Sequence, residues 1–272
     1  MSPDLRVVTL NLWGRRGDWP QRRALLRAGF AELKPDVVAF QEAIYRADDD
    51  QVAEVLDTGW HIAHQTNRGT EGSGVSIASR WPIRDVREID LRVSDRTADT
   101  PLTTLLAEIE TPDLGPVVLA NHKPSWQLNY ELERQRQAVL VARTLESAPS
   151  HVVIAGDFDA VPDSASLRFW TGRQSLQETS VCYWDAWSTV HPELVGHTFS
   201  PTNALVSDGT EMPLERGRRT DYILVRSGDR GPTLDITDCR LIFDQPHDGV
   251  WASDHFGVLA DLTDSGVPIN DQ

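Results

Sequence analysis

The chain has 272 residues, 40% of them hydrophobic, with 16 prolines and 18 glycines scattered between short apolar runs, so one domain is expected over residues 1–272. Its 41 acidic and 26 basic residues leave a formal charge of −15, which disfavours a protein that grips long nucleic acid through a broad basic surface. Two cysteines, Cys182 and Cys239, without CxxC spacing exclude a disulfide framework and a cysteine-built zinc site.

In chain order, MSPDLRVVTLNLWG runs straight into an alternating segment that reads as a strand at 6–12, without a basic and apolar leader. A helix near 20–33 follows, with Pro20 suited to its first turn. Pro35 and Asp36 introduce a second strand, DVVAFQE, ending at Glu42, and a polar helix is expected over about 48–57. Short strands near 60–65, 74–79, 102–110 and 116–122 come next, broken by Gly, Pro and Asp in turn-like positions. Residues 129–146 have helical composition with an apolar face in the second half. The apolar run HVVIAG then reads as a fully covered strand that stops at two acids, Asp157 and Asp159. TDYILV at 220–225, CRLIF at 239–243 and FGVLADL at 256–262 complete an α/β pattern of strands inside and helices outside. No window reaches membrane-spanning length, so a cytoplasmic protein without a transmembrane segment is expected.

Several polar residues interrupt apolar strands or sit at their ends: Asn11, Glu42, Asn121 and His122, Asp157 and Asp159, Asp221, Asp254 and His255. Singly each has a structural explanation, such as capping a turn, satisfying a buried backbone group or pairing with Arg219. Alternation along an extended chain points Asp157 and Asp159 to one side, where two carboxylates repel unless a cation or proton intervenes. Oxygen-rich clusters of this kind suit hard cations such as Mg²⁺, and histidines among them add proton transfer.

These segments together resemble the endonuclease/exonuclease/phosphatase superfamily, the group with the DNase I-like fold. TLNLWG resembles its opening strand, DVVAFQEA its metal-binding segment, GSGVSIASRWPI a later strand, ANHKPS the segment with its active-site histidine, GDFDAVPDS its GDFN element, RRTDYILV its RxDYI element and WASDHFGV its terminal SDH element. DAW at 185–187 and HTFSP at 197–201 also resemble family segments. The resemblance implies an α/β (α+β) fold, a four-layer sandwich of two mixed β-sheets flanked by helices, with the site at one end of the sheets. It implies Glu42 as the main ligand of Mg²⁺ or Mn²⁺, helped by Asn11 and Asp254, in a divalent-metal-dependent phosphoric ester hydrolase. Asp157 would orient or deprotonate the attacking water, and His255, held by Asp221, would contact phosphate or act as base. His122 would donate to the phosphoryl or leaving-group oxygen, and Asn121, Arg219 and Trp126 would bind substrate.

Asp159 departs from the pattern, since it stands where GDFN carries an asparagine that donates a hydrogen bond. An ionised carboxylate cannot donate and repels phosphate, so assistance by a second metal ion or an altered substrate pose is expected. Nine tryptophans fit either core packing or stacking on substrate, with Trp13, Trp126 and Trp251 close in sequence to site residues. The polar, turn-rich stretch 202–218 reads as a loop that shapes specificity or simply covers the surface, and Arg216, Arg218 and Arg219 as a local anion site or a solvated face. Three functions stand: a monomeric phosphoesterase acting on a small or lipid-like phosphorylated molecule, a nuclease, or a binding module that has kept the fold. Sphingomyelinase-like relatives share the His122 and SDH elements, but a membrane substrate is less expected without a leader or an apolar hairpin.

Overall fold

Two mixed sheets face each other because the chain alternates short β-rich segments with two helical crossovers. The computed structural model describes residues 3–210 and 212–266. In chain order, β1 (Leu5–Asn11) leads through α1 (Trp19–Leu33) to β2 (Val37–Arg46), the two-residue β3 (Asp49–Asp50), the short α2 (Gln51–Val55), β4 (His61–His64) and β5 (Ser73–Ser79). The middle comprises β6 (Ile83–Asp90), β7 (Thr103–Thr111), β8 (Gly115–Lys123), α3 (Glu131–Leu145), β9 (His151–Asp157) and α4 (Ala165–Trp170). It closes with β10 (Tyr183–Asp185), α5 (Ala186–Val190), α6 (Ala204–Ser207), β11 (Asp221–Gly228), β12 (Gly231–Pro232), β13 (Leu234–Ile242) and β14 (Gly257–Asp264).

The first sheet has the order β13-β14-β1-β2-β5-β4 with β3 on β2, and the second β10-β11-β9-β8-β7-β6 with β12 on β11. Each sheet is antiparallel except for one central parallel pair, β1 with β2 and β8 with β9. Parallel neighbours need a crossover, and α1 and α3 supply them. Helix α1 is capped by Asp18, whose side chain accepts from the Gln21 amide, and Pro20 sits in its first turn. Its buried face is Trp19, Arg22, Leu26 and Phe30, the i, i+3, i+4 stripe of a helix lying on a sheet.

Apolar residues divide by strand parity into three cores. Val7, Ala39, Ile77, Leu119, Val153, Ile223 and Val258 meet between the sheets. Val8, Leu10, Phe40 and Val38 point outward under Leu26, Phe30 and Val52 of α1 and α2. Ala120, Val152 and Ile154 point outward under Val141, Leu145, Leu167 and Trp170 of α3 and α4. The arrangement is the expected four-layer sandwich. Strand β6 was not legible in sequence, because its residues 84–88 are exposed and mostly charged, as suits the edge of a sheet. The predicted helix over 48–57 is shortened to α2, its start taken by β3. Within 202–218 the chain forms a turn and α6 rather than a plain loop, and Glu211 lies outside the described residues.

Candidate active site

The parallel strands deliver their carboxyl ends to one edge of the sandwich, and the polar residues collect there. Asn11 ends β1, Lys123 ends β8 and Asp157 ends β9. Glu42 lies in a bulge of β2, between the Phe40–Ser76 and Ala43–Gly74 pairs, with a left-handed backbone at φ 51°. A bulge re-aims a side chain, and here it turns Glu42 toward the cavity while Gln41 stays between the sheets. Asp221 opens β11 directly opposite Asp157, and Asp254 and His255 lie just ahead of β14, separated from it by Phe256. Gly156 is required by close approach, since a Cβ there would sit 2.1 Å from the His122 carbonyl oxygen.

These ends line a cavity of about 540 Å³ whose walls include Arg16, Glu42, Leu102, Lys123, Trp126, Asp157, Asp159, Phe199, Arg218, Thr220, Asp254 and His255. The Asn11 amide donates to Glu42 Oε1 and to Asp157 Oδ2, each at 3.0 Å, while its oxygen accepts from the Trp13 amide at 2.9 Å. Asn11 therefore holds two carboxylates together. His255 Nδ1 lies 2.9 Å from Asp221 Oδ2, which also accepts from Thr220 Oγ1, and His255 Nε2 faces Asp157 at 3.9 Å. Burial works against an imidazolium here, but Asp221 and Asp157 outweigh it and raise the His255 pKa well above the usual value. Burial likewise raises Asp157, yet Lys123 and His255 prevail and hold it ionised, below the usual carboxylate range. Burial, with Glu42 nearby, pushes the Asp254 carboxyl up to about 6.

Asp157 and Asp159 do share one side, and the cation between them is a lysine. Lys123 Nζ lies 2.5 Å from Asp157 Oδ2, 2.6 Å from Asp159 Oδ2 and 3.7 Å from Glu42 Oε1. The expectation of a second metal ion or an altered substrate pose at Asp159 did not include this ammonium, which Asp159 shares with Asp157. Lys123 was missed in the sequence, although parity pointed to it: neighbours on a strand face opposite sides, so Asn121 and His122 cannot both face the cavity.

His122 indeed faces outward. Its ring is buried against Phe158 and Trp170, its Nδ1 is 2.6 Å from Thr104 Oγ1, and burial lowers its pKa to about 3. A neutral ring packed under α4 is not placed to donate to a phosphoryl oxygen, so that expectation is corrected. Asn121 is also structural: its amide donates to the Phe40 and Ser76 carbonyls and its oxygen accepts from Gln41, tying β8 to the opposite sheet. Arg219 is buried over the Tyr222 ring and pairs with Asp185 at 2.7 Å, while its neighbour Arg218 reaches the cavity. Trp126 lines the cavity and is 50% exposed, whereas Trp13 covers Arg22 and Trp251 stacks on Phe256.

The donor set suits a divalent cation. Glu42, Asp157 and Asp254 present carboxylate oxygens to one cavity, the ligand chemistry that hard ions prefer. Asp157, Asp221 and His255 also approach within 4.8 Å of one another, but His255 Nδ1 is committed to Asp221, which makes that trio a hydrogen-bonded relay with Asp157 common to both groups.

The model of the Endonuclease/Exonuclease/phosphatase family matches residues 8–255. The chain is 24% identical to a candidate neutral sphingomyelinase of Caenorhabditis elegans, over 95% of this chain and 66% of that protein. It is also 24% identical to an inositol phosphosphingolipids phospholipase C of Schizosaccharomyces pombe, over 72% of this chain and 49% of that protein. The chain thus spans about half to two thirds of these relatives' length. Among solved structures, D. rerio TDP2 complexed with single strand DNA product superposes with a TM-score of 0.72 at 19% identity, covering 94% of this chain and 97% of that one.

Proposed function

We propose that this chain, which belongs to the endonuclease/exonuclease/phosphatase family, hydrolyses a phosphoric ester of a small or lipid-like molecule with the help of Mg²⁺ or Mn²⁺. The observation that carries the reading is the convergence of Glu42, Asp157 and Asp254 with the His255–Asp221 pair on one cavity. Glu42 and Asp254 would hold the metal, with Asp157 at its edge. When bound, the ion supplies Lewis-acid polarisation of the phosphoryl group. Asp157, kept ionised, accepts a hydrogen bond from the attacking water and orients it. His255, tethered through Nδ1, turns Nε2 to the cavity and donates to a phosphoryl oxygen.

The cavity wall favours a substrate with an apolar part, since Val75, Leu102, Trp126 and Phe199 line it beside the carboxylates. The names of the two curated relatives point to phosphosphingolipids and weigh against the expectation that a membrane substrate is the less favoured one. A nuclease is the second reading, supported by Arg16 and Arg218 on the same wall, while the net charge of −15 argues against a long polyanion. Among the described residues no helix is long and apolar enough to cross a membrane. The test is a screen with Mg²⁺ or Mn²⁺ of mononucleotides, oligonucleotides, sugar and inositol phosphates, and phospholipid vesicles, run in parallel with Glu42→Gln. Turnover of a lipid or small phosphoester that disappears in the variant supports the reading. Salt-sensitive turnover of oligonucleotides alone replaces it with the nuclease.

A further inference from the structure

We propose that Lys123 is a catalytic residue that binds the phosphoryl group directly, and that Asp159 is the positioning residue that fixes it there. The proposal rests on the phosphoesterase reading of the same cavity. An ammonium has three N–H donors. Asp157 Oδ2 and Asp159 Oδ2 take two of them, at 2.5 and 2.6 Å, and Glu42 Oε1 at 3.7 Å lies beyond hydrogen-bond length, which leaves the third for an acceptor in the cavity that Lys123 lines.

The pair is built rather than incidental. Asp159 is held in a left-handed backbone at φ 50°, an uncommon conformation for a residue with a side chain, and its amide donates to Asp157 Oδ1 at 3.1 Å. This turn brings the Asp159 carboxylate back over Lys123 instead of into solvent. The lysine lies at the last residue of β8, where strand parity aims it inward, and only 14% of its side chain is exposed. An aspartate here adds one negative charge next to where phosphate must sit, and the lysine adds one positive charge and the donor that a carboxylate cannot provide. Lys123 thus offsets the charge that Asp159 adds and brings an N–H donor to the cavity, while Asp157 and Glu42 also lie against the ammonium.

The alternative is an ion pair that only neutralises buried charge. The Mg²⁺-loaded wild type, Lys123→Met and Asp159→Ala, together with the double variant, separate the two. Inorganic phosphate binding by calorimetry and the kinetics of the phosphoester found in the screen are measured, along with thermal midpoints. Phosphate Kd is expected to rise roughly tenfold in Lys123→Met, with kcat down about 10²-fold and a smaller change in KM. Because Lys123→Met leaves two buried carboxylates unpaired, the double variant is compared with Asp159→Ala. The same loss of phosphate affinity is expected there in a protein that carries less buried charge. Phosphate affinity unchanged within threefold in both comparisons overturns the proposal, whatever the thermal midpoints do. Glu42-dependent turnover that persists in Lys123→Met leaves the phosphoesterase reading standing and removes Lys123 from it. Lys123-dependent phosphate binding without turnover of any phosphoester removes the hydrolase reading and keeps the anion site.

Discussion

Asp221 Oδ2 lies 2.9 Å from His255 Nδ1, a contact made across 34 residues because Asp221 opens β11 beside Asp157 while His255 waits at the entrance to β14. The pairing fixes which ring nitrogen meets the cavity and, against the opposing effect of burial, raises the imidazole pKa. Asp221→Asn removes the charge and keeps the shape, so kcat is expected to fall about 10² fold. If His255 acts as a donor, the alkaline limb of its pH–rate profile moves to lower pH, since the imidazolium loses its main support. A kcat–pH profile superimposable on the wild type would exclude the role.

Glu42 is held by the Asn11 amide at 3.0 Å and lies 3.7 Å from Lys123. Glu42→Gln keeps the volume and removes the carboxylate, so hydrolysis is expected to drop about 10³ fold. Chelation of the wild type should produce the same loss, reversible on adding metal. Circular dichroism should remain that of the wild type.

Asn121 carries no substrate in this arrangement but satisfies Phe40 and Ser76 carbonyls and the Gln41 amide across the sheet interface. Asn121→Ala strands these buried groups and is expected to cost about 2–4 kcal/mol, read by urea denaturation. KM should be unchanged. A raised KM in a protein of normal stability would return Asn121 to the binding surface.

His122 gives a stability prediction whose sign follows from burial. Its folded pKa is lowered to about 3, so the unfolded chain binds more protons between that value and the ordinary 6.5. Its contribution is therefore present above pH 6.5 and lost as pH falls below it, about 2 kcal/mol by pH 5. His122→Gln should flatten the unfolding free energy against pH relative to the wild type over pH 5–7.5. Parallel curves would show that the ring binds protons alike in the folded and the unfolded chain.

Much of the architecture was legible because local chemistry sets it. The covered runs at 37–40 and 152–155, the helix near 20–33 with Pro20 in its first turn and the order of the motif segments all agree with the structure. Edge strand β6 escaped because an exposed edge has no apolar alternation to detect. Of the residues expected at the site, Asn11, Glu42, Trp126, Asp157, Asp159, Asp221, Asp254 and His255 do gather at one end of the sheets. Asn121, His122 and Arg219 do not, and each adjoins a residue that plays a different part.

Sequence alone determined most of the covered strands, and that acids and amides would end them. Those properties depend on spacing of one or two residues along an extended chain, whereas Asp159 reaches the side of Asp157 through a left-handed turn that follows β9. Only the tertiary structure decided that the cation between Asp157 and Asp159 is Lys123 and that the partner of His255 is Asp221. It also decided that Arg219 lies beneath the surface while Arg218 faces the cavity. Such choices depend on which distant strands become neighbours and in what register, and a one-residue change of register exchanges the two faces of every strand.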